Sequence, residues 1–94
     1  MNLRQLKAFQ AVCRTGSITR ASELIHLSQP ALTRQIQDLE SFCGCKLFER
    51  TRHGIVLTDE GELFQVRAEE MLSLAERTQR ELKEAGGFTG GIVR

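Results

Sequence analysis

From Asp59 to Ala85 the sequence runs for twenty-seven residues without a proline, and its one glycine, Gly61, falls in the first turn. Such a stretch predicts a single continuous helix, about 40 Å long at about 1.5 Å per residue. Thr58 offers a capping hydroxyl ahead of it, and Asp59 and Glu60 place negative charge where the helix dipole favours it. Phe64, Ala68, Met71, Ala75, Thr78 and Leu82 recur at alternating steps of four and three, which is the seam of a heptad repeat. The 58 residues before this helix make too small a body to cover such a stripe along its whole length. The seam is therefore expected to pair with a second copy of the chain; the alternative is a helix packed wholly back on its own globule, for which Leu63, Val66 and Leu72 offer apolar contacts off the seam.

Charge changes sign where this helix begins. The whole chain carries only +1 at pH 7, which excludes a protein coated in positive charge. Residues 1–58, however, hold Arg4, Lys7, Arg14, Arg20, Arg34, Lys46, Arg50 and Arg52 against Glu23, Asp38, Glu40 and Glu49, a net +4. Residues 59–94 hold five basic and eight acidic groups, a net −3. A cationic globule joined to an anionic segment suggests that only the globule meets a polyanion.

Ninety-four residues suffice for one domain and an appendage. The longest apolar runs are Ala11-Val12-Cys13 and Ile55-Val56-Leu57, far short of the roughly 18 residues that span a bilayer. With no hydrophobic signal region at the amino terminus, a soluble cytoplasmic chain is expected. Cys13, Cys43 and Cys45 form an odd set without C-x-x-C spacing, so they read as reduced thiols. Five Phe with no Trp or Tyr leave few platforms for stacking unpaired bases, which disfavours single-strand recognition and leaves duplex binding open.

Within the globule, Leu3, Leu6, Phe9 or Gln10, and Cys13 mark an amphipathic helix that Gly16 stops. Ser17 caps a two-turn helix from Ile18 to about Ile25, with Ile18, Ala21, Leu24 and Ile25 inward. After His26-Leu27, Ser28 caps a third helix with Pro30 in its first turn; it runs from Gln29 to Cys43 and ends at Gly44. Leu32, Ile36, Leu39 and Cys43 form its apolar stripe. The opposite face carries Gln29, Thr33, Arg34 and Gln37, side chains able to read base edges and hold phosphates. Leu47–Arg50 and Ile55–Thr58 around Thr51-Arg52-His53-Gly54 signal a hairpin with Arg50, Arg52 and His53 at or near its tip, where donors can reach a backbone or minor groove. Residues 86–94 hold four of the eight glycines and read as a flexible connection, and Ile92-Val93-Arg94 as the opening of a strand cut short.

Ser17-Ile18-Thr19-Arg20-Ala21-Ser22, Leu27 to Ile36, Leu39-Glu40, Leu47-Phe48-Glu49-Arg50, Leu57-Thr58 and Gly61 together closely resemble the amino-terminal domain of LysR-type transcriptional regulators. The resemblance covers residues 1 to about 65. It implies a mainly α fold: a winged helix-turn-helix over 1–58, a dimerisation helix over 59–85, and over 86–94 a hinge into an effector-binding domain outside this chain. The implied partners are double-stranded DNA and a second copy, with a tetramer at full length and a small-molecule effector only through the further domain. Carried over onto this sequence, Gln29 and Arg34 contact bases or the groove, Thr33 and Ser28 phosphate oxygens, with Pro30 in the same stretch. Arg50 and Arg52 lie on the wing, and Thr19 and Arg20 are placed to clamp phosphate from the start of the second helix. Cys43 and Cys45 stand where the family usually has aliphatic residues, which favours packing for both thiols.

Two other readings are weighed against this one. Cys43-Gly44-Cys45, with Cys13, His26 and His53, would suit a thiol-based metal or redox sensor, but a C-x-C pair is weak evidence. A helical protein-interaction module would use the long helix and leave the cationic face idle. No nucleophile, histidine and acid fall in a catalytic arrangement, and no glycine loop cradles a phosphate, so neither an enzyme nor a cofactor is expected.

Overall fold

The computed structural model describes residues 1–89, with side chains described through Gly86. Its elements follow in the order α1 (Leu3–Thr15), α2 (Ile18–Leu24), α3 (Gln29–Cys43), β1 (Phe48–Thr51), β2 (Gly54–Leu57) and α4 (Asp59–Thr89). The two strands form an antiparallel hairpin in which Phe48 faces Leu57 and Thr51 faces Gly54. This is the mainly helical, winged arrangement that the sequence predicts.

Local chemistry sets each boundary. A side-chain oxygen of Asn2, Ser17, Ser28 or Thr58 accepts a hydrogen bond from the backbone N–H three residues on, at 2.9, 3.1, 3.2 and 2.9 Å respectively. At α1 the pair is reciprocal, because the Gln5 side chain also accepts from the Asn2 N–H at 3.1 Å, a capping box not foreseen from the sequence. Gly16 at φ 67° and Gly44 at φ 76° end α1 and α3 in the left-handed region. The turn from α2 to α3 has no glycine, and His26 adopts φ 58° instead. There the His26 N–H donates to the Glu23 carbonyl at 3.4 Å and the Leu27 N–H to the Ser22 carbonyl at 2.9 Å, the paired bonds of a Schellman ending.

The core is built around Phe9, which is fully buried on α1. Its ring lies 5.1 Å from that of Phe48 on the hairpin and 4.9 Å, edge to face, from that of Phe64 on α4. Leu6, Val12, Leu32, Ile36, Leu39 and Leu47 close around it. Two expected inward residues point out: Leu3 is 48% and Leu24 47% exposed. Ala8, Ala11 and Val12 supply α1's buried face alongside Leu6 and Phe9, and on α2 the small Ala21 and Ser22 take the inner positions.

The heptad seam of α4 divides. Ala68 is fully buried, and Phe64 and Met71 pack against the globule's core with Leu72, because the start of α4 crosses α1. Those three seam positions, expected to face a second copy, are covered by their own chain. Ala75 is half-buried, while Thr78 and Leu82 are exposed, Leu82 at 68%. Leu63, Val66 and Leu74 also lie exposed on α4. The helix continues to Thr89, four residues beyond the expected stop at Ala85, so Gly86 and Gly87 are helical rather than part of a loose connection. Residues 90–94, the remainder of the expected hinge, lie outside the described residues.

Candidate nucleic-acid interface

Burial of Leu32, Ile36 and Leu39 fixes the rotation of α3, and the rest of its surface follows from that. Gln29, Pro30, Arg34 and Gln37 are exposed, with Thr33 half-buried between them. These five line one shallow recess along the helix. A second, between the start of α2 and the hairpin, brings together Thr19, Gln29, Thr33 and Arg50. A third, between α3 and the hairpin, is lined by Thr33, Gln37, Lys46 and Arg50 among others. Thr33 belongs to all three, so hydroxyl, carboxamide and guanidinium groups from α2, α3 and β1 converge around one residue.

The Arg34 guanidinium lies 3.8 Å from the Asp38 carboxylate with both side chains largely exposed, a pairing weak enough to give way to another anion. The Ser28 hydroxyl oxygen accepts from the Ala31 N–H, which leaves its own O–H free to donate. Arg20 is exposed on α2 and Arg52 at the hairpin tip, and neither lines these recesses. The structure thus gathers Thr19, Gln29, Pro30, Thr33, Arg34 and Arg50, while Ser28, Arg20 and Arg52 stand at the margins. Gln37 and Lys46 belong to the surface more fully than the sequence reading allowed. Gln37 follows Thr33 by four residues and Gln29 by eight, a spacing that puts all three on one helix face; Lys46 follows Gly44, where no periodicity applies.

Two braces hold the hairpin beside α3. The Glu40 side chain, only 10% exposed, accepts from the Leu47 and Phe48 N–H groups at 2.8 and 3.3 Å and faces the Lys46 ammonium at 3.6 Å. On the other side the Ile55 N–H donates to the Gly16 carbonyl at 3.4 Å. At the tip the Thr51 hydroxyl donates to the Gly54 carbonyl and accepts from the His53 N–H, each at 3.1 Å, which closes the turn. Glu40 entered the sequence reading only in the charge count and as part of a matching dipeptide, and its bonds to Leu47 and Phe48, seven and eight residues away, leave no local signal.

Two of the three thiols, Cys13 and Cys43, sit where the thiolate is disfavoured. Burial, with the Glu69 carboxylate adding, pushes the Cys13 thiol up to about 12. Burial raises Cys43 as well, with Cys45 and Glu40 adding and the terminal ammonium opposing. Metal binding and redox attack both need the thiolate, so the environment works against the sensor reading. Among the described residues no three His, Cys, Asp or Glu side chains cluster as a metal site, and no helix is long and apolar enough to cross a membrane.

Two short helices joined by a tight turn, the second exposed beside a basic two-stranded hairpin, define a winged helix-turn-helix protein. Residues 3–62 match the family of bacterial regulatory helix-turn-helix proteins of the lysR type, and the chain belongs to that family. It is 47% identical over 94 residues to the HTH-type transcriptional regulator TfdT of Cupriavidus pinatubonensis, covering all of this chain and 41% of that protein. It is 46% identical over 94 residues to the regulator ClcR of Pseudomonas putida, covering all of this chain and 32% of that one. The chain thus spans well under half the length of these relatives. Among solved structures, CbnR, a LysR family transcriptional regulator, superposes with a TM-score of 0.89 at 42% identity over 92% of this chain and 30% of that one. The CbnR_DBD-DNA complex gives 0.87 at 42% identity, with 92% of this chain and 99% of that one covered. The BenM_DBD/catB site 1 DNA complex gives 0.86 at 36%, with 92% and 97% covered.

Proposed function

We propose that residues 1–58 bind duplex DNA sequence-specifically and that α4 joins two chains, so that the pair forms the DNA-reading part of a transcriptional regulator. The observation that carries this is the convergence of Gln29, Thr33, Arg34 and Arg50 on one exposed surface of a family fold, close to structures solved on DNA. In this reading α3 enters the major groove. Arg34 and Gln29 meet base edges, Thr33 and Ser28 donate to phosphate oxygens, and Pro30 packs against the groove wall. Thr19 and Arg20 clamp phosphate beside α3, and Arg50 and Arg52 carry the wing onto backbone or minor groove.

The second copy covers the part of α4 that the globule leaves bare: Leu74, Thr78 and Leu82, with Leu63 and Val66 continuing the exposed apolar row. Two recognition helices then read two half-sites about one helical turn apart. The chain's work is binding rather than catalysis, carried out in the cytoplasm on the nucleoid. Tetramer formation and response to a small-molecule effector are not assigned to these residues.

Selection of bound duplexes from a random pool tests the reading, and a two-fold-related consensus is the expected result. Arg34→Ala should weaken the selected site by about 1–3 kcal/mol and relax discrimination at one position. Equal losses on selected and random duplexes would reassign Arg34 to phosphate. Affinity should fall steeply with salt through counterion release, and a flat response would count against a DNA partner.

A further inference from the structure

The strand entry at Lys46, Leu47 and Phe48 is gripped from two sides, and the grips come from different functional parts. From α3, the Glu40 carboxylate accepts from the Leu47 and Phe48 N–H groups. From the start of α4, the Thr58 N–H donates to the Leu47 carbonyl at 3.0 Å, and the Thr58 hydroxyl donates to the Lys46 carbonyl at 2.7 Å. That same hydroxyl accepts from the Gly61 N–H at 2.9 Å, so the cap of α4 and its tie to the strand are one group. Gly61 is buried against the strand: a Cβ there would overlap the Leu47 carbonyl oxygen and lie 2.9 Å from a Leu57 methyl. Its own φ is not in the left-handed region, so glycine is required by the close approach and not by the backbone angle.

Recognition helix and dimerisation helix are therefore coupled through three backbone residues by short, directional contacts. We propose that this junction, Glu40 on one side and Thr58 with Gly61 on the other, fixes the angle between α3 and α4 and so determines which half-site separation the dimer accepts. The inference rests on the DNA-binding dimer reading above. Its lever is geometric: each base pair adds about 3.4 Å and about a tenth of a turn between half-sites, and α4 extends roughly 45 Å from the junction, so a few degrees of tilt displace one recognition helix by ångströms relative to the other. Glu40, Thr58 and Gly61 act here as positioning residues.

The experiment holds the selected half-sites constant and varies the spacer in single base-pair steps. It compares the wild-type chain with Gly61→Ala, Thr58→Val and Thr58→Ser, and measures affinity for an isolated half-site in parallel. Wild type should show one spacer optimum, with affinity about tenfold lower one or two steps away. Gly61→Ala and Thr58→Val should move or flatten that optimum while half-site affinity changes less than about twofold, and Thr58→Ser, which keeps the hydroxyl, should restore it. Loss of half-site and full-site affinity in equal proportion by Thr58→Val would overturn the proposal, because it would make the junction part of the fold alone. An unchanged optimum in both altered variants would do the same. If wild type selects no duplex or does not dimerise, the DNA-binding reading fails and carries this one with it. Because wild type stays selective in the first two outcomes and not in the third, the failures are distinguishable.

Discussion

The two halves of α4 are built from similar residues and live in different surroundings. Up to Leu72, Phe64, Ala68 and Met71 lie on the core formed by α1, α3 and the hairpin, and Phe64 meets the ring of Phe9 edge to face. Beyond Leu72 the same helix carries Leu74 and Leu82 into solvent. The heptad spacing runs through both halves without a break, so periodicity marks a face that wants covering and does not say what covers it. In the first half the chain covers it. In the second, from Ser73 to Gly86 among the described residues, no side chain joins the buried core, and a helix of about that length on its own is marginal in water, which is the physical case for a second copy.

The largest effect that would test this contrast lies at Phe9, since its ring joins α1, the hairpin and α4. Phe9→Ala should cost about 3–5 kcal/mol of stability, read by denaturant unfolding. A cost near that of a surface substitution would mean the core does not converge there. Next comes the distal half. Leu74→Glu together with Leu82→Glu should convert a sedimenting dimer to monomer while leaving the denaturation midpoint of the globule in place, because neither side chain contributes to its core. Met71→Glu should instead place a charge against that core and lower the midpoint itself. If the double variant sediments as wild type does, the exposed row is not the interface. If Met71→Glu alone dissociates an otherwise stable dimer, the division of the helix drawn above is wrong.

Most of the fold was legible because its signals are local. Ser17, Ser28 and Thr58 announce helix starts through a bond three residues long, Gly16 and Gly44 announce stops through a backbone angle, and Leu32, Ile36 and Leu39 announce a buried face through spacing alone. What escaped depends on contacts between distant residues. Leu3 and Leu24 fit their helical stripes and still lie outside: on α1 the buried face is made by Leu6, Ala8, Phe9, Ala11 and Val12, and on α2 the small Ala21 and Ser22 take the inner positions. Ala68 fits an intermolecular seam equally well and is covered within the chain. For the interface, Gln29, Thr33 and Arg34 could be read from the face opposite the apolar stripe. The role of Glu40 depends on where the chain returns after Gly44, and no spacing rule reports that.

A smaller effect tests the globule's own turn against the unstrained helix beside it. Among the described residues His26 is the one non-glycine residue at positive φ, and its side chain is exposed. The left-handed angle costs an L-residue about 1 kcal/mol or more, part of which glycine would give back through the greater freedom of its unfolded chain. His26→Gly should therefore raise stability by roughly 0.5 kcal/mol, a small upward shift in Tm. The two bonds that His26 and Leu27 donate to the end of α2 come from the backbone, so the substitution leaves the Schellman ending intact. A fall in Tm would mean that the imidazole contributes more in the turn than the backbone strain costs, and His26→Asn, which tolerates the same angle, would then show whether a polar side chain is enough.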